Sequence, residues 1–132
     1  MRKYLIAVFF FLWNSFAKGQ NLSVLNNLDE KYQKCLDAEN KMLLCSQQYY
    51  LRIDSLLNVV YRNYRVTLTD KQKQNLKSEQ LKWLSYRDNY FKKVENELKS
   101  ERAGRDAQMI AIDDKAQFVR ERVIYFINKL NH

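Results

Sequence analysis

The chain has no proline, only two glycines (Gly19 and Gly104), one histidine and two cysteines in 132 residues. Each shortage excludes something. Tight turns, hairpins, bulges and phosphate-cradling loops rely on glycine for positive φ or on proline for a fixed φ. With so little of either, a β-sandwich, a Rossmann unit, a P-loop and a TIM barrel lack their turn residues. The histidine is His132, the last residue, so a Ser/His/Asp triad or a histidine-built metal site has no material. Two cysteines are too few for a zinc finger without histidines, or for an iron–sulfur cluster. What remains is an all-α protein, of a length suited to one domain. It is expected to bind a partner, to use no cofactor or metal, and not to be an enzyme.

What is present begins with an address. Met1-Arg2-Lys3 is a short basic start, the run from Tyr4 to Phe16 is apolar, and Ala17-Lys18-Gly19 puts small residues around a cleavage point. These are the three regions of a secretory signal peptide. The run is shorter than the roughly 20 residues a spanning helix needs, and no cysteine follows it to carry a lipid. The expectation is a leader over residues 1–19, a single helical domain over residues 20–132, and a periplasmic or extracellular location without a membrane anchor.

Removal of Arg2, Lys3 and Lys18 with that leader leaves 20 basic and 15 acidic residues, net +5. Acids and bases alternate along the chain, as in Asp29-Glu30-Lys31, which reads as a solvated helical surface with short-range ion pairs. No dense Lys/Arg cluster appears, so nucleic acid is not an expected partner. Export makes the two cysteines, Cys35 and Cys45, a structural disulfide. Their spacing is not the C-x-x-C of redox sites. Ten residues of straight helix would separate their Cα atoms by about 15 Å, against a disulfide limit of about 7 Å. The chain must therefore turn between them, at Asp37-Ala38-Glu39-Asn40, with Asn40 capping a helix that starts at Lys41.

Apolar periodicity predicts four helices. A short one covers residues 26–36, with Leu25, Leu28, Tyr32 and Cys35 along one side. A second, over 41–66, carries the stripe Met42, Tyr49, Ile53, Leu56 and Val60. Thr69 and Gln72 form a capping box that opens a third helix over 70–99, striped by Leu76, Gln80, Trp83, Arg87, Tyr90 and Val94. Gly104 breaks the chain, and a fourth helix over 106–130 carries Met109, Ile112, Ala116, Val119, Val123, Phe126 and Leu130 at alternating steps of three and four. That seam suits a coiled-coil dimer or a bundle core; over three heptads it reads as the core of a monomeric antiparallel bundle.

Gln80 and Arg87 stand inside an apolar stripe, and Asp54 stands in a stripe of the preceding helix. Buried polar groups need partners. If the second and third helices fold back at Leu68-Thr69, position 54 meets roughly 83, and Asp54 reaches Arg87 while Asn58 reaches Gln80. The expectation is an interhelical network of Asp54, Asn58, Gln80 and Arg87, with Tyr61 and Trp83 packed around it, that fixes register and performs no chemistry. Acidic pairs that could suit an enzyme, Glu95 with Glu97 and Asp113 with Asp114, lack positioned partners.

These residues also form a pattern. Asp54-x-x-Leu57-Asn58-x-x-Tyr61, then Leu76-x-x-x-Gln80-x-x-Trp83-Leu84-x-Tyr86-Arg87-Asp88, resembles the bacterial LprI-type lysozyme-inhibitor domain over about residues 34–130. Cys35 and Cys45 resemble that family's leading cysteine pair, and Arg122-Val123 its closing Arg-apolar element; the resemblance implies that Asp88 and Arg122 belong with Asp54, Asn58, Tyr61, Gln80, Trp83 and Arg87 to one structural polar network. The family's second cysteine pair is missing; Tyr90-Phe91 stands where its first member would fall, and aromatic packing is expected there instead. The resemblance implies a small exported helical protein that blocks a muramidase by steric occlusion, through exposed turns at residues 37–40 or 101–106. The competing expectation is a cell-envelope module that binds a protein or an anionic envelope polymer through its basic surface.

Overall fold

The computed structural model describes residues 2–38, 41–100 and 104–132, with side chains from residue 21 onward. Four helices follow one another: α1 (Arg2–Asp37), α2 (Met42–Arg65), α3 (Asp70–Ser100) and α4 (Arg105–Leu130). Among the described residues there is no strand. No described helix is long and apolar enough to cross a membrane.

α2, α3 and α4 lie within a residue of the expected bounds, and α1 does not. The short helix expected over 26–36 is the last part of a helix that begins at Arg2. Without proline, the one glycine at position 19 is a cost of about 1 kcal/mol and no more, so the helix continues through it. Asn40, the expected cap of α2, lies outside the described residues. The cap is Lys41, whose φ of 62° and ψ of 42° place it in the left-handed region. The capping box of α3 forms as its sequence requires: the Thr69 amide donates to Gln72 Oε1 at 2.9 Å, and the Gln72 amide to Thr69 Oγ1 at 3.3 Å.

The core lies between α2 and α4, which share the most extensive packing in the molecule. Ile53 and Val60 of α2 are fully buried against Ala116, Val119, Val123 and Phe126 of α4, so the seam of the last helix faces the bundle interior. The chain runs up, down, up, down, and α2 and α4 are therefore parallel to each other. α1 covers one side of this pair and α3 the other. Asp29 of α1 meets α4 at Arg120, while Gln80 of α3 meets it at Arg122; two residues of helix turn about 200°.

This arrangement corrects the expected hairpin of α2 on α3. Their mutual packing is slight beside the contact each makes with α4. α3 buries only Leu76 and Val94 completely and docks largely through aromatic rings around Phe118 of α4. Tyr90 stacks on that ring at 4.6 Å and Trp83 at 5.8 Å, while Tyr86 and Phe91 close the sides. Phe91 also meets Tyr50 of α2 edge-on at 6.1 Å. Aromatic packing thus surrounds Tyr90 and Phe91.

Candidate functional site

Three polar knots and one open end organise the molecule. The first knot is built on Arg122, only 9 % exposed. Its Nε and Nη2 donate to Gln80 Oε1 at 3.1 and 2.9 Å, and Nη2 also reaches Glu79 Oε1 at 2.9 Å. The guanidinium lies over Tyr125 at 4.4 Å, Phe126 at 4.7 Å and Trp83 at 5.5 Å. Hydrogen bonds at the guanidinium edge and aromatic faces above its plane make a buried arginine tolerable.

Gln80, Trp83 and Arg122 therefore meet, but with a partnership different from the expected one. Gln80 pairs with Arg122 and not with Asn58, which is exposed. Arg87 does not bond Asp54. Its Nε and Nη2 donate to the adjacent Asp88 Oδ1 at 3.1 and 2.9 Å, and its guanidinium lies over Trp83 and Phe91 at 5.8 and 5.7 Å. Asp54 and Arg87 still face a common neighbour: the Tyr50 phenol is raised by burial and by Asp54, while Arg87 opposes the shift. Tyr61 packs edge-on against Phe126 at 5.6 Å. The cause is α4. It takes the place beside α2 that α3 was expected to fill, so the α2–α3 seam stays loose, with Arg87 bonded to its neighbour Asp88 and Gln80 to Arg122.

The second knot was not visible in the sequence. Arg120 grips Asp29 with two bonds, of 3.1 and 2.6 Å, and the Tyr49 hydroxyl donates to the same carboxylate at 2.6 Å. One carboxylate so ties α1, α2 and α4. Burial pushes the Asp29 carboxyl up, but the bonds from Arg120 and Tyr49 outweigh it and hold it below its ordinary value. Burial and the Asp29 charge push the Tyr49 phenol far above its own. The third knot joins Tyr32, stacked on Tyr49 at 4.3 Å, to Asp113 Oδ1 and Ser46 Oγ, each at 3.0 Å. Asp29 and Asp113 sit at stripe edges, where the helical period does not separate half-buried from solvated positions.

The open end lies where α1 hands over to α2 and where α4 begins. The Cys35–Cys45 disulfide holds the α1–α2 corner with Cα atoms 5.8 Å apart. Beyond it, a groove of about 640 Å³ is lined by Lys41, Met42, Leu44, Arg105, Asp106 and Met109, among others. Lys41 is the one described non-glycine residue with positive φ. Met42 and Leu44 are well exposed for their size. Among the described residues no group of three or more His, Cys, Asp or Glu side chains gathers.

The fold and its features define a small disulfide-pinned helical bundle that presents a groove at one end. The chain belongs to the LprI lysozyme-inhibitor family, whose model, described as "Lysozyme inhibitor LprI", matches residues 30–125. The match takes in the disulfide, Asp54, Asn58, Gln80, Arg87 and the Arg122 knot. No curated protein and no solved structure matches the chain.

Proposed function

We propose that the chain is exported with loss of residues 1–19, and that the remainder inhibits a muramidase by seating its disulfide-closed end over the catalytic cleft. The inhibitory character follows the family; the choice of surface rests on the open end. Glycoside hydrolases of this kind carry a pair of carboxyl groups beside the scissile bond. Lys41 and Arg105 bring two cations to the groove against one acid, Asp106, with Met42 and Leu44 as apolar contact beside them.

The observation that carries this reading is Lys41. A left-handed backbone at a lysine costs about 1–2 kcal/mol relative to the right-handed form, and it occurs at an exposed tip beside a disulfide. Glycine would adopt that conformation freely. A lysine kept there trades stability for a cation held at the rim.

The test is inhibition of several lysozyme classes by the purified exported protein, beside Lys41→Gly and Lys41→Ala. Inhibition at micromolar concentration is expected for the wild type. Lys41→Gly is expected to be more stable by about 1 kcal/mol and a weaker inhibitor by tenfold or more. No inhibition and no complex with any lysozyme class would sink the function. Inhibition undiminished in both variants would leave the function standing and remove this surface.

A further inference from the structure

The face of α2 turned away from α4 has no partner in the bundle. Leu44, which also edges the groove at the open end, Leu51, Val59 and the C-cap residue Val66 follow it at steps of seven, eight and seven residues. They are 44, 63, 36 and 73 % exposed; Leu22, Val24, Leu81 and Ile110 are exposed on the other helices as well, but not as a row of four. At 100° per residue the four fall within roughly 80° of arc, and at 1.5 Å per residue they extend over about 33 Å. The row is a line, and its spacing is that of a helix face built to lie on something.

The charges beside it have one sign. Arg52, Arg62 and Arg65 are all exposed, and none is in an ion pair among the described residues. The helix has a single acid, Asp54, which is half-buried and turned toward the Tyr50 and Arg87 side. Lys31 of α1 joins Arg52 along the shallow cleft between the two helices. α1 and α3 flank the α2–α4 pair, so this face stands out as a ridge.

A basic and apolar ridge has the character of helices that lie in the plane of an anionic bilayer, with aliphatic groups in the acyl boundary and cations among the headgroups. A second copy of the exported chain would bring a like net charge of +5 against it, which disfavours self-association. We infer that the outer face of α2 docks on anionic lipid surfaces, and that the bundle works as a peripheral protein of a phospholipid leaflet.

The experiment is co-sedimentation of the exported protein, residues 20–132, with vesicles of phosphatidylcholine alone, or with 30 % phosphatidylglycerol (about one lipid in three, enough to set a surface potential). The readouts are the binding to each composition and their ratio, at low and at high salt. Without residues 1–19, neither the apolar run nor Arg2, Lys3 and Lys18 contributes to the binding. The wild type is expected to prefer the anionic vesicles by tenfold or more at low salt, and to lose the preference at high salt. The triple variant Arg52→Gln, Arg62→Gln, Arg65→Gln is expected to lose most of that preference, at up to about fivefold per arginine. Leu51→Gln with Val66→Gln, both at exposed positions, is expected to weaken binding at least fivefold with an unchanged far-ultraviolet spectrum. A matched triple on α3, Lys73→Gln, Lys77→Gln, Lys82→Gln, controls for net charge and is expected to lose less than half as much as the arginine triple on a logarithmic scale. Equal losses in the two triples would overturn the inference, as would a wild type without lipid preference. So would a concentration-dependent dimer that Leu51→Gln dissociates, if no vesicle binding accompanies it.

Discussion

Arg120 and Arg122 are two residues apart, point to opposite sides of α4, and hold different neighbours. Arg122 is buried with a neutral amide as its main acceptor, so removing it strands Gln80 and opens a space between three aromatic rings. Arg122→Ala is expected to cost about 3 kcal/mol in urea denaturation; a loss below about 1 kcal/mol would show that the rings alone hold α3. The Asp29 knot is expected to appear as a pH effect. A carboxyl whose folded value is depressed adds stability that is complete above its unfolded value, 3.8, and is lost as pH falls through the lower folded value. Tyr49 has the opposite sign: its folded value is raised, so its contribution is complete below 10.0 and lost as pH rises further. Thermal melts should therefore show an acid limb below about pH 4 that Asp29→Asn flattens, and an alkaline limb above about pH 10 that Tyr49→Phe flattens.

Among the elements, the disulfide corner and the α3 capping box were legible because each is local. Ten residues between cysteines force a turn, and a threonine three residues before a glutamine marks a helix start. The partners of each helix were not legible. A period of 3.6 says which face is apolar and nothing about what covers it, and closeness in sequence favoured α2 on α3. The residue that decides otherwise is Arg122, some forty positions from Gln80. The resemblance marked Arg122 as a structural residue, but its partner Gln80 and its burial show only once α4 lies against α2. The length of α1 is not legible for a different reason: residues 1–19 read as a leader separate from the domain, whereas the helix runs unbroken from Arg2 to Asp37. At this scale the disulfide carries the clearest prediction. Cys35→Ser with Cys45→Ser should lower stability by about 2–3 kcal/mol and expose the α1–α2 corner to proteolysis, as read by denaturant melts and limited digestion. An unchanged midpoint and digestion pattern would mean that the Asp29 and Tyr32 knots already fix that corner.

For the whole molecule, the parallel course of α2 and α4 has a consequence for how the chain assembles. Parallel neighbours cannot be joined by a short turn, so the main core unites two antiparallel pairs, α1 with α2 and α3 with α4. α1 with α2 can close early through its corner, and α3 with α4 through Gly104, because both are contacts near in sequence. The long-range step is the docking of one pair on the other along Ile53, Val60, Val119 and Phe126. The link at Val66 to Thr69 then serves mainly as a tether. Two peptides made by cutting there should recombine into a helical complex with the circular dichroism of the intact protein. Cuts inside α2 or α4 should not.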